Sequence, residues 1–186
     1  MEFKELRLKG SYEILLKPHK DERGFFMRTY DDKIFKEAGL SFNWVQENHS
    51  GSMYKGIIRG LHFQKPPFTE TKYVRCIRGC ILDVFVDLRK SSETFGQWDC
   101  IELSENNHKS ILIPKGFAHG FCTLDNNCEV LYKVDNYYSP SHEFGLLWND
   151  AELNIDWPEK DPILSEKDKR NLTLRKFINQ FNSIEF

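Results

Sequence analysis

The sequence predicts an all-β domain of the sandwich, jelly-roll or barrel kind, on three observations. Short runs rich in Val, Ile, Phe and Tyr follow one another from Ile57 to Asn136, parted by brief stretches of Gly, Pro, Asn and Ser. The crossover helices that a parallel, doubly wound sheet requires are missing from this stretch. The length, 186 residues, suits one domain over 1–186 with its core at about 10–168, large enough to fold without disulfides or a structural metal.

The elements are expected in this order. Asp31 and Asp32 cap a short helix over 33–38, which Gly39 stops. Strands follow at 57–64, 72–78, 81–88, 97–103, 110–113, 117–124 and 128–136. Leu174, Phe177, Ile178 and Phe181 recur at i, i+3, i+4 and i+7, predicting a peripheral C-terminal helix over 172–182 with one buried face.

Strand alternation assigns faces. Leu82, Val84, Val86 and Leu88 share one side and Asp83, Phe85 and Asp87 the other, which puts Asp83 at a wet edge or in a polar pocket. Cys128, Val130, Tyr132 and Val134 share an apolar side, so Tyr132 points inward and its hydroxyl needs a partner. In 57–64, Ile58, Gly60, His62 and Gln64 oppose Arg59, Leu61 and Phe63, with Gly60 leaving open space beside His62.

Composition narrows the function. Twenty-six Lys and Arg against 28 Asp and Glu give a net charge of −2, so no bulk charge draws in nucleic acid or an anionic membrane. Any bound anion must be held by a local cluster. Fifteen Phe, seven Tyr and four Trp make the chain 14% aromatic, with Phe85, Phe117 and Phe121 expected in the core. The charged start Met1-Glu2-Phe3-Lys4-Glu5 and the lack of a long apolar run predict a cytoplasmic protein. Five scattered cysteines without a C-x-x-C pair read as reduced thiols.

Three strings concentrate chemistry. Arg59-Gly60-Leu61-His62-Phe63-Gln64, followed by Lys72, fits a general base beside an anion or a hydrogen-bonded structural histidine. Pro114-Lys115-Gly116-Phe117-Ala118-His119-Gly120-Phe121 frames a histidine between glycines, either in a site or at the surface of a hairpin. Asp21-Glu22-Arg23-Gly24-Phe25-Phe26 is a capped turn with core Phe, or an Arg for phosphate beside a stacking face. The six histidines show no metal-binding spacing, and no nucleophile elbow or phosphate-binding glycine loop is present. No metal and no cofactor are expected, and proton transfer by His, Tyr, Lys and carboxylates remains.

These strings, together with Asp83 to Arg89, Phe95-Gly96, Tyr132-Lys133, Tyr137 to Pro140, Trp148-Asn149-Asp150, Trp157-Pro158 and Leu164 to Asp168, resemble the dTDP-4-dehydrorhamnose 3,5-epimerases over nearly the whole chain. The resemblance implies a metal-free cupin-type jelly roll, a homodimer acting on a nucleoside-diphosphate 4-keto-6-deoxy sugar. By it, His62 is the base that removes the C3 and C5 protons, Asp168 orients His62, Lys72 stabilises the enolate and Tyr132 is the acid on the opposite face. Arg23 and Arg59 match diphosphate contacts, while Phe26 and Tyr138 pack against base or sugar. Gln46, Asn48, Glu143 and Lys167 line the pocket, and His119 pairs with Asp83. One position departs: two residues after Phe26 the family pattern has Glu and this chain has Arg28. An Arg donor there suits the acceptor atoms of cytosine or guanine, so CDP- or GDP-linked sugars stand as alternatives to dTDP, as does inversion at C3 alone. A non-catalytic sugar-binding cupin, a ketoisomerase or an iron oxygenase are the rival classes.

Overall fold

The structure, a computed structural model, describes residues 1–181. Two antiparallel sheets face one another as a cupin-type jelly roll. The first runs β1 (Glu2–Glu5), β2 (Tyr12–Leu15), β10 (Lys109–Ile113), β7 (Lys72–Arg78), β12 (Cys128–Val134) and β5 (Gln46–Ser52). The second runs β13 (Glu143–Gly145), β6 (Ile58–Gln64), β11 (Phe117–Thr123), β8 (Cys80–Asp87) and β9 (Trp98–Ser104). Consecutive strands β7 and β8 lie in different sheets, as do β9 and β10, and this alternation wraps the chain around a single interior. A separate hairpin pairs β3 (His19–Asp21) with β4 (Gly24–Phe26).

The expected strands all form, with ends moved by one or two residues. Strands β1 to β5 and β13 were not predicted. Strand β5 reads Gln-Glu-Asn-His-Ser-Gly-Ser, with no apolar alternation. As an edge strand it takes its order from seven paired positions along β12, from Val134↔Gln46 to Cys128↔Ser52, rather than from burial of its own side chains.

Three apolar layers result. Between the sheets lie Val74, Ile81, Phe85, Ile111, Phe117, Phe121 and Val130. Outside the second sheet, Val84, Val86, Leu88, Ile58, Leu61 and Phe63 pack against Leu174, Phe177 and Phe181 of α2 (Leu174–Phe181). Strand β8 is thus buried on both faces, and Asp83 and Asp87 are interior carboxylates rather than edge residues, both fully buried.

Helix α2 buries the face read from its spacing, each large side chain contributing about 1.5–3 kcal/mol. Asp150 fixes its start, one carboxylate oxygen accepting the Leu174 N–H at 3.0 Å and the other those of Glu152 and Leu153 at 2.9 Å. Residue 182, the end of the predicted helix, lies outside the described residues. Outside the first sheet, α1 (Asp32–Glu37) lays Phe35 against Ile14, Tyr73 and Leu112. Asp31 caps it by accepting the Lys33 and Ile34 N–H groups, and Gly39 at φ +78° ends it.

Candidate active site

Towards one end the interior between the sheets turns polar and opens into a cavity of about 450 Å³, a size suited to a small organic ligand. His62, Arg59, Lys72, His119, Tyr132 and Asp168 line it. An irregularity in β6 brings Arg59 and His62 to the same cavity, although simple alternation puts them on opposite faces. Phe121 of β11 pairs with Arg59 and His119 with His62, so β6 carries one residue more than its partner between these points. Ile58, Leu61 and Phe63 then share the outer layer. Gly60 does not leave open space: its φ is +129°, and a Cβ there would stand 2.6 Å from Gly120 Cα. Gly120 faces it with equal tightness, 2.6 Å from Arg59 O to an added Cβ.

His62 Nε2 lies 2.6 Å from Asp168 Oδ1. The tautomer that donates Nε2–H to this carboxylate leaves Nδ1 as the basic ring nitrogen. Asp168 opens a 3₁₀ turn, Asp168–Arg170, and its own N–H donates to Ser165 Oγ at 3.0 Å. Burial raises its pKa, but the His62 hydrogen bond and charge, with donors from Ser165 and the Gly60 backbone, outweigh burial and hold it below the ordinary value.

Lys72 is 8% exposed, and its ammonium stands 3.3 Å from Glu70 Oε1. Tyr132 packs against the inner layer, as alternation predicts. Its hydroxyl has no protein hydrogen-bond partner among the described residues, against the expectation of one, because it borders the cavity instead of the closed core. Burial, with Glu70 and Glu143, raises its pKa against the opposing charges of Lys72 and Arg59, so the phenol stays protonated near neutrality.

His119 is buried, which removes the surface-hairpin reading. Its Nε2 lies 2.9 Å from Asp83 Oδ2, while Asp83 Oδ1 has no partner among the described residues. Burial raises the Asp83 pKa against the countering His119 and Lys72.

A smaller recess of about 110 Å³ shares His62, Lys72 and Tyr132 with the main cavity and is bordered by Gln46, Asn48, Tyr138 and Glu143. Gln46 donates to Asn48 Oδ1 at 2.8 Å. Glu143 accepts from the Tyr138 hydroxyl at 2.7 Å and pairs with Lys167 at 2.5 Å. Burial opposes these donors, but they keep its pKa low. Lys167 lines the main cavity. Arg59 is anchored by Nε to Ser52 Oγ at 3.1 Å and by Nη2 to the Gly51 carbonyl at 2.9 Å.

Three expected residues are not brought in. Arg23 is solvent-exposed and pairs with Asp21 at 2.5 Å. Phe26 is 67% exposed, neither core nor cavity wall, and with Arg28 it borders a separate depression. Arg28 pairs with Asp31 at 3.1 Å. All three belong to the β3–β4 hairpin or the segment just after it, which stands apart from the interior of its own chain. Conversely, Glu70 and Gln64 were missed as site residues. Gln64 ends the quoted His62 string and Glu70 precedes Lys72 by two residues, so proximity in sequence was the available signal. No group of three or more His, Cys, Asp or Glu among the described residues is arranged to hold a metal ion, nor is any described helix long and apolar enough to cross a membrane.

Comparison with known proteins places this geometry. A family model described as dTDP-4-dehydrorhamnose 3,5-epimerase matches residues 5–176. The chain is 51% identical to the Shigella flexneri enzyme of that name over 80% of this chain and 82% of the relative. It superposes on the Bacillus anthracis dTDP-4-dehydrorhamnose 3,5-epimerase, solved with TDP and PPi, with a TM-score of 0.91 and 47% identity over 93% and 99% of the two chains. The Legionella pneumophila dTDP-6-deoxy-D-glucose-3,5-epimerase, solved with dTDP-4-keto-L-rhamnose, gives a TM-score of 0.89 and 39% identity over 94% and 93%. With the family model spanning almost all of the jelly roll and the cavity strands inside that span, the chain belongs to the dTDP-4-dehydrorhamnose 3,5-epimerase family of isomerases.

Proposed function

We propose that this chain epimerises a dTDP-linked 4-keto-6-deoxy sugar at C3 and C5 by acid–base proton transfer. The observation that carries the reading is the 2.6 Å His62–Asp168 bond bordering one cavity with the unpartnered Tyr132 hydroxyl and the Lys72 ammonium. The 4-keto group acidifies the protons on its two neighbouring carbons. His62 takes one of them, and Asp168 favours the imidazolium that forms. The electron pair moves onto the ketone oxygen as an enolate, which the Lys72 cation stabilises. Tyr132 returns a proton to the opposite face, inverting the centre, and solvent resets both groups before the second centre reacts. Arg59 and Lys167 supply the local positive charge for the diphosphate, and His119, held by Asp83, supports the cavity wall. Gln46, Asn48, Tyr138 and Glu143 bind the rest of the nucleotide from the recess.

The enzyme works as a homodimer, in which the exposed hairpin of one subunit carries Arg23 and Phe26 to its partner's cavity. Their exposure and their separation from their own chain's cavity support this. Arg28, paired with Asp31 and two residues after Phe26, would approach the partner's cavity with the same hairpin, so the CDP or GDP preference it suggests is decided by comparing nucleotides.

Incubation of dTDP-, CDP- and GDP-linked 4-keto sugars in D₂O tests the reading. Label at both C3 and C5 of the dTDP sugar is the expected outcome. Label at C3 alone would make the protein a mono-epimerase, preference for CDP or GDP would overturn the nucleotide, and no exchange with any of them would overturn the chemistry. Size-exclusion with light scattering checks the dimer.

A further inference from the structure

Lys72 does not stand alone in the cavity wall. Glu70 Oε1 lies 3.3 Å from its ammonium, both side chains being almost closed to solvent at 13% and 10% exposure. The other oxygen, Glu70 Oε2, accepts from Gln64 Nε2 at 2.9 Å. Gln64 is itself 4% exposed and uses its whole amide: Nε2 also reaches the Phe68 carbonyl at 3.0 Å and the Tyr137 carbonyl at 3.1 Å, and Oε1 accepts the Ser139 N–H at 2.7 Å. Gln64 sits on β6 two residues beyond His62. One side chain therefore ties the carboxylate beside Lys72 to the strand of the base and to the segment carrying Tyr138.

We infer that Glu70 is a positioning residue for the epimerisation: held by Gln64, it fixes the Lys72 ammonium and supplies its counter-charge where the main cavity meets the recess. This rests on the reading of Lys72 as the enolate-stabilising cation. Burying an ammonium is costly without a counter-charge beside it, and Glu70 is the carboxylate within ion-pair distance among the described residues. The separation is longer than the roughly 2.7–2.9 Å of a tight charge-assisted bond, and an ammonium has three donors, so Glu70 holds Lys72 without consuming its capacity for the substrate oxygen. Glu70 also borders the recess with Tyr132, so its charge reaches cation and acid together. The other charged or titratable groups around this junction are Asp83 on β8, His119 on β11, His62 and Arg59 on β6, Tyr132 on β12, Tyr138 just before β13, Glu143 on β13, and Lys167 and Asp168 at the 3₁₀ turn.

Glu70→Gln keeps the size and an acceptor for Gln64 but removes the charge. Its kcat and KM for C3 and C5 exchange are measured against pH, alone and combined with Lys72→Met. The expected result is a fall in kcat of about tenfold or more with KM within about twofold, and no further loss in the Lys72→Met background. The alkaline limb should move to lower pH, because loss of the carboxylate lets Tyr132 ionise earlier. A kcat within about twofold of wild type, or a loss of equal size without Lys72, overturns the proposal. Wild-type protein that exchanges no nucleotide sugar overturns instead the reading on which it rests. If circular dichroism shows that Glu70→Gln does not fold, Glu70→Asp carries the test. It keeps the charge but withdraws it by one carbon, so kcat should fall with the alkaline limb in place, and wild-type kcat would refute the positioning role.

Discussion

The cavity holds two histidine–carboxylate pairs whose histidines face each other across β6 and β11, and they are built in opposite ways. In the first, the His62 side chain is 29% exposed and Asp168 is supplied with donors that keep its pKa low despite burial. In the second, His119 is 9% exposed and Asp83 is fully buried, one oxygen lacking a partner and its pKa raised by burial. A carboxylate that stays ionised favours a ring that gains a proton. One that resists charge instead holds a ring in a fixed orientation. On the proposed mechanism, a shared pairing of residue types serves as a base in one place and as a support in the other, and the surrounding donors decide which.

The largest expected effect breaks the first pair. His62→Asn should reduce C3 and C5 exchange by about 10⁴-fold, and Asp168→Asn by about 10²–10³-fold, since the amide still accepts the ring N–H but no longer balances its charge. His119→Asn should cost far less than His62→Asn in the same assay. Equal losses would erase the distinction between the pairs.

Much of this arrangement was legible in the sequence. The inner placement of Tyr132 and the buried face of α2 followed from periodicity, because burial imposes the repeat directly, whereas alternation divided the faces of β8 without showing that both are buried. The bulge in β6 did not follow either, since alternation assumes one residue against one, and only the two facing glycines show where that fails. The hairpin stood open between core Phe and a stacking face beside an Arg, and composition does not reveal that its own chain leaves Phe25 and Phe26 exposed, which removes the core reading. Gly60 and Gly120 set the spacing between the two histidine pairs and offer the second test. In Gly120→Ala the new Cβ would meet the Arg59 carbonyl at 2.6 Å and Gly60 Cα at 3.0 Å, backbone atoms that have nowhere to go. A loss of about 3 kcal/mol in urea unfolding is expected, with weakened exchange in whatever remains folded. Wild-type stability would mean that the strands separate readily and do not fix the pairs.

The third test asks which group supplies the second proton. Tyr132→Phe removes the cavity hydroxyl without changing the packing, and should cut inversion by about 10²-fold while His62 still allows exchange from its own face. Retained inversion in Tyr132→Phe, with loss in His119→Asn, would make the second pair the acid and reverse its assignment as a support.

The smallest effect is in stability, and here the two carboxylates should pull in opposite directions with pH. Asp168 has a pKa below the ordinary 3.8, so its contribution is present above about pH 4 and is lost as pH falls through the folded value. Asp83 lies above 3.8: its protonated form contributes stability below about pH 4, and this is lost as pH rises through the raised value. Asp83→Asn keeps an oxygen for the His119 N–H and removes the cost of ionising a buried acid. Its Tm at pH 7 should equal or exceed that of wild type, with the advantage shrinking as pH falls towards 4. Asp168→Asn should lower Tm at pH 7 and flatten the acid limb, because the charge that the His62, Ser165 and Gly60 donors were placed to hold is gone. If both variants lost the same stability at pH 7, with parallel pH curves, the donors around Asp168 would not be what separates a base from a support.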